Sequence, residues 1–272
     1  MKSPLRKRLP RELKSEFGKY LVVFIMMAIT IAFVSGFLVA DGSMIRAYDD
    51  SFQKYNIEDG YFQTKKKLTP AQKEDIEKSD VKVYENFYIE QKLTNGSTIR
   101  FFKNRKEVDK VCLMNGKMPK KSGEIAVDRM YADNNELKVG DTVKSRKKTF
   151  RITGLVALSD YSALFQNNND TMFDAVKFGV AIVTDKDFEA LNQVKVQYNY
   201  AWIYDKKPAT EKKEKKMAED LMEDMADVVT IESFVPQYQN QSIHFTGDDM
   251  GSDRAMIVML LYIVMAILAF VF

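Results

Sequence analysis

The residues best equipped for chemistry in this chain are few, and their spacing does not favour it. There is one cysteine, Cys112, and one histidine, His244. A thiol nucleophile needs a base and an orienting group beside it, and a lone Cys with a lone His far along the chain makes a weak case for that. One cysteine allows no disulfide within the chain, and without a His/Cys cluster a transition-metal site is not expected. The patterns G-x-x-x-x-G-K-[ST] and G-x-S-x-G are absent, which removes two common routes to nucleotide binding and acyl transfer. Carboxylates abound, but no spacing singles out an acid–base pair. Asp248, Asp249 and Asp253 lack the EF-hand pattern for calcium. Asn95, Asn169 and Asn240 each open a glycosylation triplet, a short and common pattern. The expectation is a protein that is not an enzyme and carries no cofactor or metal.

The stronger signal is the distribution of polarity. Overall the chain is 46% apolar and 29% charged with a net charge of +3, a balance that does not point to nucleic acid. Two apolar stretches bracket a polar middle: 20–40 and 255–272. A bilayer core about 30 Å thick needs ~20 apolar helical residues to cross. The expected fold class is therefore a membrane protein, with two transmembrane helices flanking an extracytoplasmic α+β domain at 41–254. The second stretch runs to the last residue, so the expectation is an N-terminal piece of a longer protein. The first could instead be a secretory signal, but its apolar run is long, and Leu38 before Ala40 makes a mediocre cleavage site.

Orientation follows from the flanks. Lys2, Arg6, Lys7, Arg8, Arg11, Lys14 and Lys19 precede the first span, against Glu12 and Glu16, whereas Asp41, Asp49 and Asp50 follow it with only Arg46 nearby. Basic flanks stay in the cytoplasm, which puts residues 1–19 inside and 41–254 outside, in a multi-pass plasma-membrane protein. In the leading segment Leu5, Leu9, Leu13 and Phe17 fall four apart among basic residues, and Pro10 kinks or starts the helix. Such a basic amphipathic helix suits the inner membrane surface. It reads either as a positive-inside signal alone or as an elbow touching a cytoplasmic partner. Inside the span, Ala28, Ala32, Gly36 and Ala40 recur every four residues. They form a ridge of tiny side chains on which another membrane helix could pack closely.

Through 41–254 helix and strand signals alternate. Val81–Leu93, Asn95-Gly96 and Thr98–Phe102 read as strand, turn and strand. A second hairpin is expected from Asp141–Arg146 and Thr149–Leu158. Gly179–Thr184 reads as a buried strand, with Asp185 as N-cap of a helix through Leu191. Tyr198–Tyr204 carries the only tryptophan, Trp202. A helix is predicted from Pro208 to Met225 with Met217, Leu221 and Met225 inward, and then a strand from Val228 to Phe234. Gln166–Asp170 reads as a solvated loop.

One ordered series stands out: Asn115-Gly116-Lys117-Met118-Pro119, then Gly123 to Val127, Leu137 to Val143 and Phe150 to Val156. It resembles the outer domain of the FtsX-like, MacB-type permeases of ATP-binding-cassette systems, whose pattern runs G-x-x-P, E-I-x-V, L-x-V-G-D-x-[VI] and a strand ending in [VI]-x-G-[IV]-V. The opening Leu13 to Tyr20 is similar too. In that resemblance Gly116 and Pro119 shape a turn, Glu124 opens a strand, Gly140-Asp141 turn a hairpin, and Gly154 lies in its returning strand. The resemblance implies a non-catalytic permease subunit, with ATP hydrolysed on a separate cytoplasmic ABC ATPase. It implies a second permease chain or further permease helices, and contact with membrane lipid. Arg6, Lys7, Arg8, Arg11, Leu13 and Phe17 would meet the ATPase or the inner leaflet. The outer domain would carry a strand-rich insert at about 105–180. The main rival is a two-span sensor whose cytoplasmic signalling part is missing; a tethered scaffold domain is a third reading.

Overall fold

The computed structural model describes residues 10–12, 14–145, 148–191 and 196–271. It divides into two compact units, Met1–Ala47 with Asp249–Phe272, and Tyr48–Asp248.

In the helical unit, residues 10–12 and 14–15 are helical, and helix α1 runs Phe17–Tyr55. Most of its apolar side chains are exposed, with Val34 buried; Phe24, Phe33 and Val39 are each about two-thirds exposed. A helix apolar all round needs lipid or protein about it. Thr30 Oγ1 donates to the Met26 carbonyl at 2.9 Å and Ser43 Oγ to Val39 at 2.8 Å, so these hydroxyls satisfy themselves within the helix, as an apolar surround demands. Among the described residues, α1 is the helix long and apolar enough to cross a membrane. The expected second span falls on the last helix, α6, Gln241–Val271. Several of its final side chains, and Phe272, lie outside the described residues, and a second span is not established.

The unit 48–248 holds two sheets. Strands β1 (Gly60–Thr64), β2 (Val81–Glu85), β10 (Tyr198–Tyr204) and β11 (Ile231–Pro236) form an antiparallel sheet in the order β11-β1-β10-β2. Helix α2 (Pro70–Glu77) joins β1 to β2, and α5 (Glu211–Val228) joins β10 to β11. This is the split β-α-β arrangement of ferredoxin-like folds. The core between sheet and helices is aromatic: Trp202 stacks on Phe234 at 4.7 Å and Phe62 on Tyr200 at 5.2 Å. Gly60 is required there, since a Cβ on it would lie 2.2 Å from the Trp202 ring. Helix α5 turns Ala218, Leu221 and Met225 inward, with Met217 half-buried. Its N-cap is Thr210, whose side chain accepts from Lys213 N, so the helix starts after Pro208 and ends beyond Met225.

The second sheet is inserted between β2 and β10, which pair with each other. It contains β3 (Tyr88–Lys92), β4 (Thr98–Lys103), β5 (Cys112–Gly116), β6 (Glu124–Asp128), β7 (Thr142–Lys144), β8 (Thr149–Ala157) and β9 (Phe178–Val183), in the order β3-β4-β9-β6-β8-β5 with β7 also on β8. Short helices α3 (Arg129–Asn134) and α4 (Asp185–Leu191) complete it. The insert is wider than 105–180, because the β3–Asn95-Gly96–β4 hairpin belongs to this sheet. The apolar run Val81–Leu93 is two strands in two sheets, broken at Asn86-Phe87 where the chain crosses over. Strand β9 is buried throughout, as befits a central strand. At α4 the cap is Thr184, whose Oγ1 accepts from Asp187 N at 3.2 Å, and Asp185 is the first helical residue.

Candidate functional site

Where the two sheets meet, a polar cleft of about 370 Å³ opens. Strands of both sheets and several joints between elements converge on it. The turn after α1 supplies Glu58, the crossover between sheets supplies Asn86, the short helical turn after β8 supplies Asp160 and Tyr161, and the segment before α6 supplies Gln239 and Asn240. Each comes from a joint between elements, where side chains are free of sheet alternation and helical periodicity.

Behind the cleft lies a buried cluster of charges. Asp109 is fully buried; its Oδ1 accepts from Glu58 N at 2.9 Å and its Oδ2 from Asn86 Nδ2 at 3.1 Å. Arg105 forks onto Asp160 at 2.5 and 2.9 Å. Glu58 Oε1 accepts a long bond from Asn240 Nδ2 at 3.4 Å, and the Glu58 carbonyl accepts from Gln237 Nε2 at 2.5 Å. Burial, Asp109 and Asp160 hold the Glu58 carboxyl well above the usual range. Burial and Asp160 push Asp109 up to about 7, against the pull of Arg105. Three carboxylates thus face one guanidinium, and the cluster retains a proton more readily than free acids do.

The floor of the cleft is set by Arg100. Its guanidinium donates to Glu90 Oε1 at 2.5 and 2.9 Å, to Tyr161 Oη at 2.6 Å and to the Gln166 carbonyl at 2.8 Å. It also lies over the Tyr88 ring at 4.1 Å. Despite the burial penalty, Tyr161, Tyr88 and Glu90 keep it above its ordinary value. Arg100 is therefore a satisfied structural cation. The loop Gln166–Asp170, expected to be a solvated tip, is a wall of the cleft: Asn168 donates to the Gln239 carbonyl and accepts from Gln241 N, both at 2.9 Å.

The residues with catalytic chemistry do not gather here. Cys112 contacts Met114 Sδ at 3.7 Å, and His244 sits in the first turns of α6. Among the described residues no three His, Cys, Asp or Glu side chains are grouped to hold a metal. Ser122, Lys148 and Asp187 do meet: Ser122 Oγ donates to Asp187 at 2.6 Å, and Lys148 Nζ donates to Ser122 at 3.0 Å and to Asp187. Gly123 N adds a bond at 2.8 Å. Outweighing burial, these donors hold Asp187 below the usual carboxylate range. The trio ties the turn before β6 to β8 and α4.

Of the residues singled out in the sequence, Arg6, Lys7, Arg8 and Leu13 lie outside the described residues, while Arg11 and Phe17 are exposed. Ala28, Ala32, Gly36 and Ala40 are exposed together, and nothing lies within 4 Å of a Cβ placed on Gly36. The buried side chains of α1, Val34 and Asp41, lie off that ridge. The motif residues in the second sheet form one joint. Gly116 has φ +77° with the Thr153 carbonyl against it, and a Cβ on Gly154 would come 2.6 Å from the Lys117 carbonyl. Glu124 Oε2 accepts from Lys120 N and Lys121 N at 2.8 and 2.9 Å, just after Pro119. Gly140 has φ +106°, and Asp141 Oδ2 accepts from Lys138 N at 2.8 Å. The cleft residues Glu58, Asn86 and Asp160, and Arg105 and Asp109 behind them, were not singled out. The sequence offered only an acidic pair, Glu58-Asp59, and Asn240 as part of a glycosylation triplet, although that side chain is buried.

No protein-family model matches the chain, and no curated protein matches it. Solved structures similar to it include two extracytoplasmic domains. One is the extracellular domain of the noncanonic ABC-type transporter YknZ from Gram-positive bacteria, at 12% identity and a TM-score of 0.33, covering 64% of this chain and 98% of that one. The other is the periplasmic region of MacB from Actinobacillus actinomycetemcomitans, at 15% identity and a TM-score of 0.34, covering 64% and 87%.

Proposed function

We propose that the chain is a non-catalytic permease subunit of an ATP-driven ABC-type system for export or force transmission. Residues 41–254 stand outside the cell, and a cytoplasmic ATPase supplies the energy. The observation that carries this reading is the joint just described. Gly116, Pro119, Glu124, Gly140, Asp141 and Gly154, the residues on which the FtsX-like, MacB-type resemblance rests, lie around one strand junction, and Gly116 and Gly154 are needed there for backbone reasons. An all-round apolar helix, α1, leading directly into the sheet-bearing unit supports it further. Within the sheet-bearing unit, the turn after α1 and the segment before α6 are joined by the long bond from Asn240 to Glu58. The ridge Ala28, Ala32, Gly36 and Ala40 would meet a helix of a second permease chain or a further permease helix. Arg6, Lys7, Arg8, Arg11, Leu13 and Phe17 would lie at the inner leaflet or the ATPase.

The test is purification of the tagged chain from its native membranes in mild detergent. A nucleotide-hydrolysing ABC subunit is expected to co-purify. Recovery of a histidine kinase in its place would favour the two-span sensor and overturn the permease reading.

A further inference from the structure

We propose that the cleft between the two sheets is a binding site for a small polar cation, a primary ammonium of amino-acid to dipeptide size. This goes beyond the permease reading and does not depend on it.

Among the described residues, three acceptor atoms on buried side chains lining the one cleft have no N–H donor against them: Glu58 Oε2, Asn86 Oδ1 and Asn199 Oδ1. Beyond its long bond from Asn240, the Glu58 carboxyl meets only the Asp109 carboxyl, with which it shares a proton. Glu58 is 3%, Asn86 4% and Asn199 7% exposed. The Asn86 orientation is fixed by its own network, since Nδ2 donates to Asp109 and leaves Oδ1 free. Glu58 and the two amides come from three different segments, and behind them Arg105 Nε is the one buried donor of the cluster left without an acceptor among the described residues. A buried acceptor left unpaired costs free energy, so a ligand rich in N–H donors gains most here.

The charge balance selects a cation over a neutral donor. Around the cleft Arg100 is committed to Glu90 and Arg105 to Asp160. Glu58 and Asp109 make no ion pair of their own among the described residues and share only the pull of that same Arg105. An ammonium beside Glu58 would make charge-assisted hydrogen bonds with the acceptors and take the place of the proton that burial otherwise keeps on this pair. The volume of about 370 Å³ lies at the small end of ligand pockets, and its lining of amides, hydroxyls and carboxylates suits a polar guest. The groups facing Glu58 are Asp109, Asp160 and Arg105, with Tyr61 also within electrostatic reach.

The experiment titrates the full chain in detergent with glycyl-glycinamide and with its neutral N-acetyl form, by calorimetry in two buffers of different ionisation heat. Saturable binding of the cation is expected, with proton release and about tenfold or greater preference over the N-acetyl compound. Glu58→Gln, which keeps the shape, should lower affinity by about tenfold and abolish proton release. Equal binding of the two compounds, unchanged affinity in Glu58→Gln, or no binding below about 10 mM would overturn the proposal. Thermal unfolding of the variant reports whether it is folded, and Asn199→Leu provides a second variant at a different wall of the cleft, with the same loss expected. Failure of these tests leaves co-purification of an ATPase untouched, so the two readings are separable.

Discussion

Asp109 illustrates what a single buried side chain dictates. Its carboxyl is held at about 7 by burial and Asp160, and Glu58 is displaced in the same direction. Asp128, the buried N-cap of α3, is also pushed up to about 7 by burial. An acid whose folded value is raised binds its proton more tightly in the folded than in the unfolded state. Its stabilising effect is complete below the ordinary carboxylate value and is lost as pH rises through the folded value. Asp187 acts oppositely, but only below the ordinary carboxylate range. Thermal stability should therefore fall between about pH 5 and pH 8. Asp109→Asn should flatten that slope and be relatively more stable at the alkaline end, because Asn can still accept from Glu58 N and Asn86 can turn its unpaired Oδ1 to the new amide. Unfolding followed by circular dichroism across this range checks it. An unchanged slope would mean that Asp109 does not carry the retained proton.

At the scale of elements, the joint between β5, β6 and β8 depends on close backbone approach. A Cβ on Gly154 would lie 2.6 Å from the Lys117 carbonyl and 3.1 Å from Leu113 Cδ1. Gly154→Ala must therefore shift one strand against the other, at a cost of about 1–3 kcal/mol and a lower midpoint by roughly 5 °C. Gly42→Ala, in open space on α1 and off the small-residue ridge, should leave the midpoint unchanged, and comparing the two melting curves decides the matter. The elements themselves were largely legible: the Asn95-Gly96 hairpin, the buried β9, the Trp202 strand and the α5 stripe follow from local periodicity and turn chemistry. Two features were not. Val81–Leu93 has one continuous β-prone character, yet it serves two sheets, because the crossover at Asn86-Phe87 is fixed by where β10 and β4 lie. Glu58, Asn86, Asp160 and Asn240 sit in joints with no period at all, and only the tertiary path brings Glu58 beside Asp109. The signals that the motif Gly residues carry are backbone signals, and those survive in sequence better than a convergence of loops does.

At the scale of the whole molecule the deciding question is which side of a membrane each unit occupies. Basic residues crowd the N-terminal flank, Lys14 and Lys19 among those described, and acidic Asp41, Asp49 and Asp50 follow the apolar run of α1. Moving clustered Lys and Arg across lipid is costly, so the proposed topology puts that flank in the cytoplasm and the sheets outside. A test by cysteine labelling needs exposed positions. Ser97, although in a hairpin turn, is buried with its hydroxyl 2.7 Å from Tyr131 Oη, and is unsuitable. Lys206, beyond β10, and Ser15, before α1, are both exposed. With Cys112 first replaced by serine, a membrane-impermeant maleimide added to intact cells should label Lys206→Cys and spare Ser15→Cys. Permeabilised cells should label both. The reverse pattern in intact cells would place the sheets in the cytoplasm, where they could not serve as the outer part of a permease. Labelling of neither position in intact cells, with both labelled after permeabilisation, would exclude an extracytoplasmic domain as firmly.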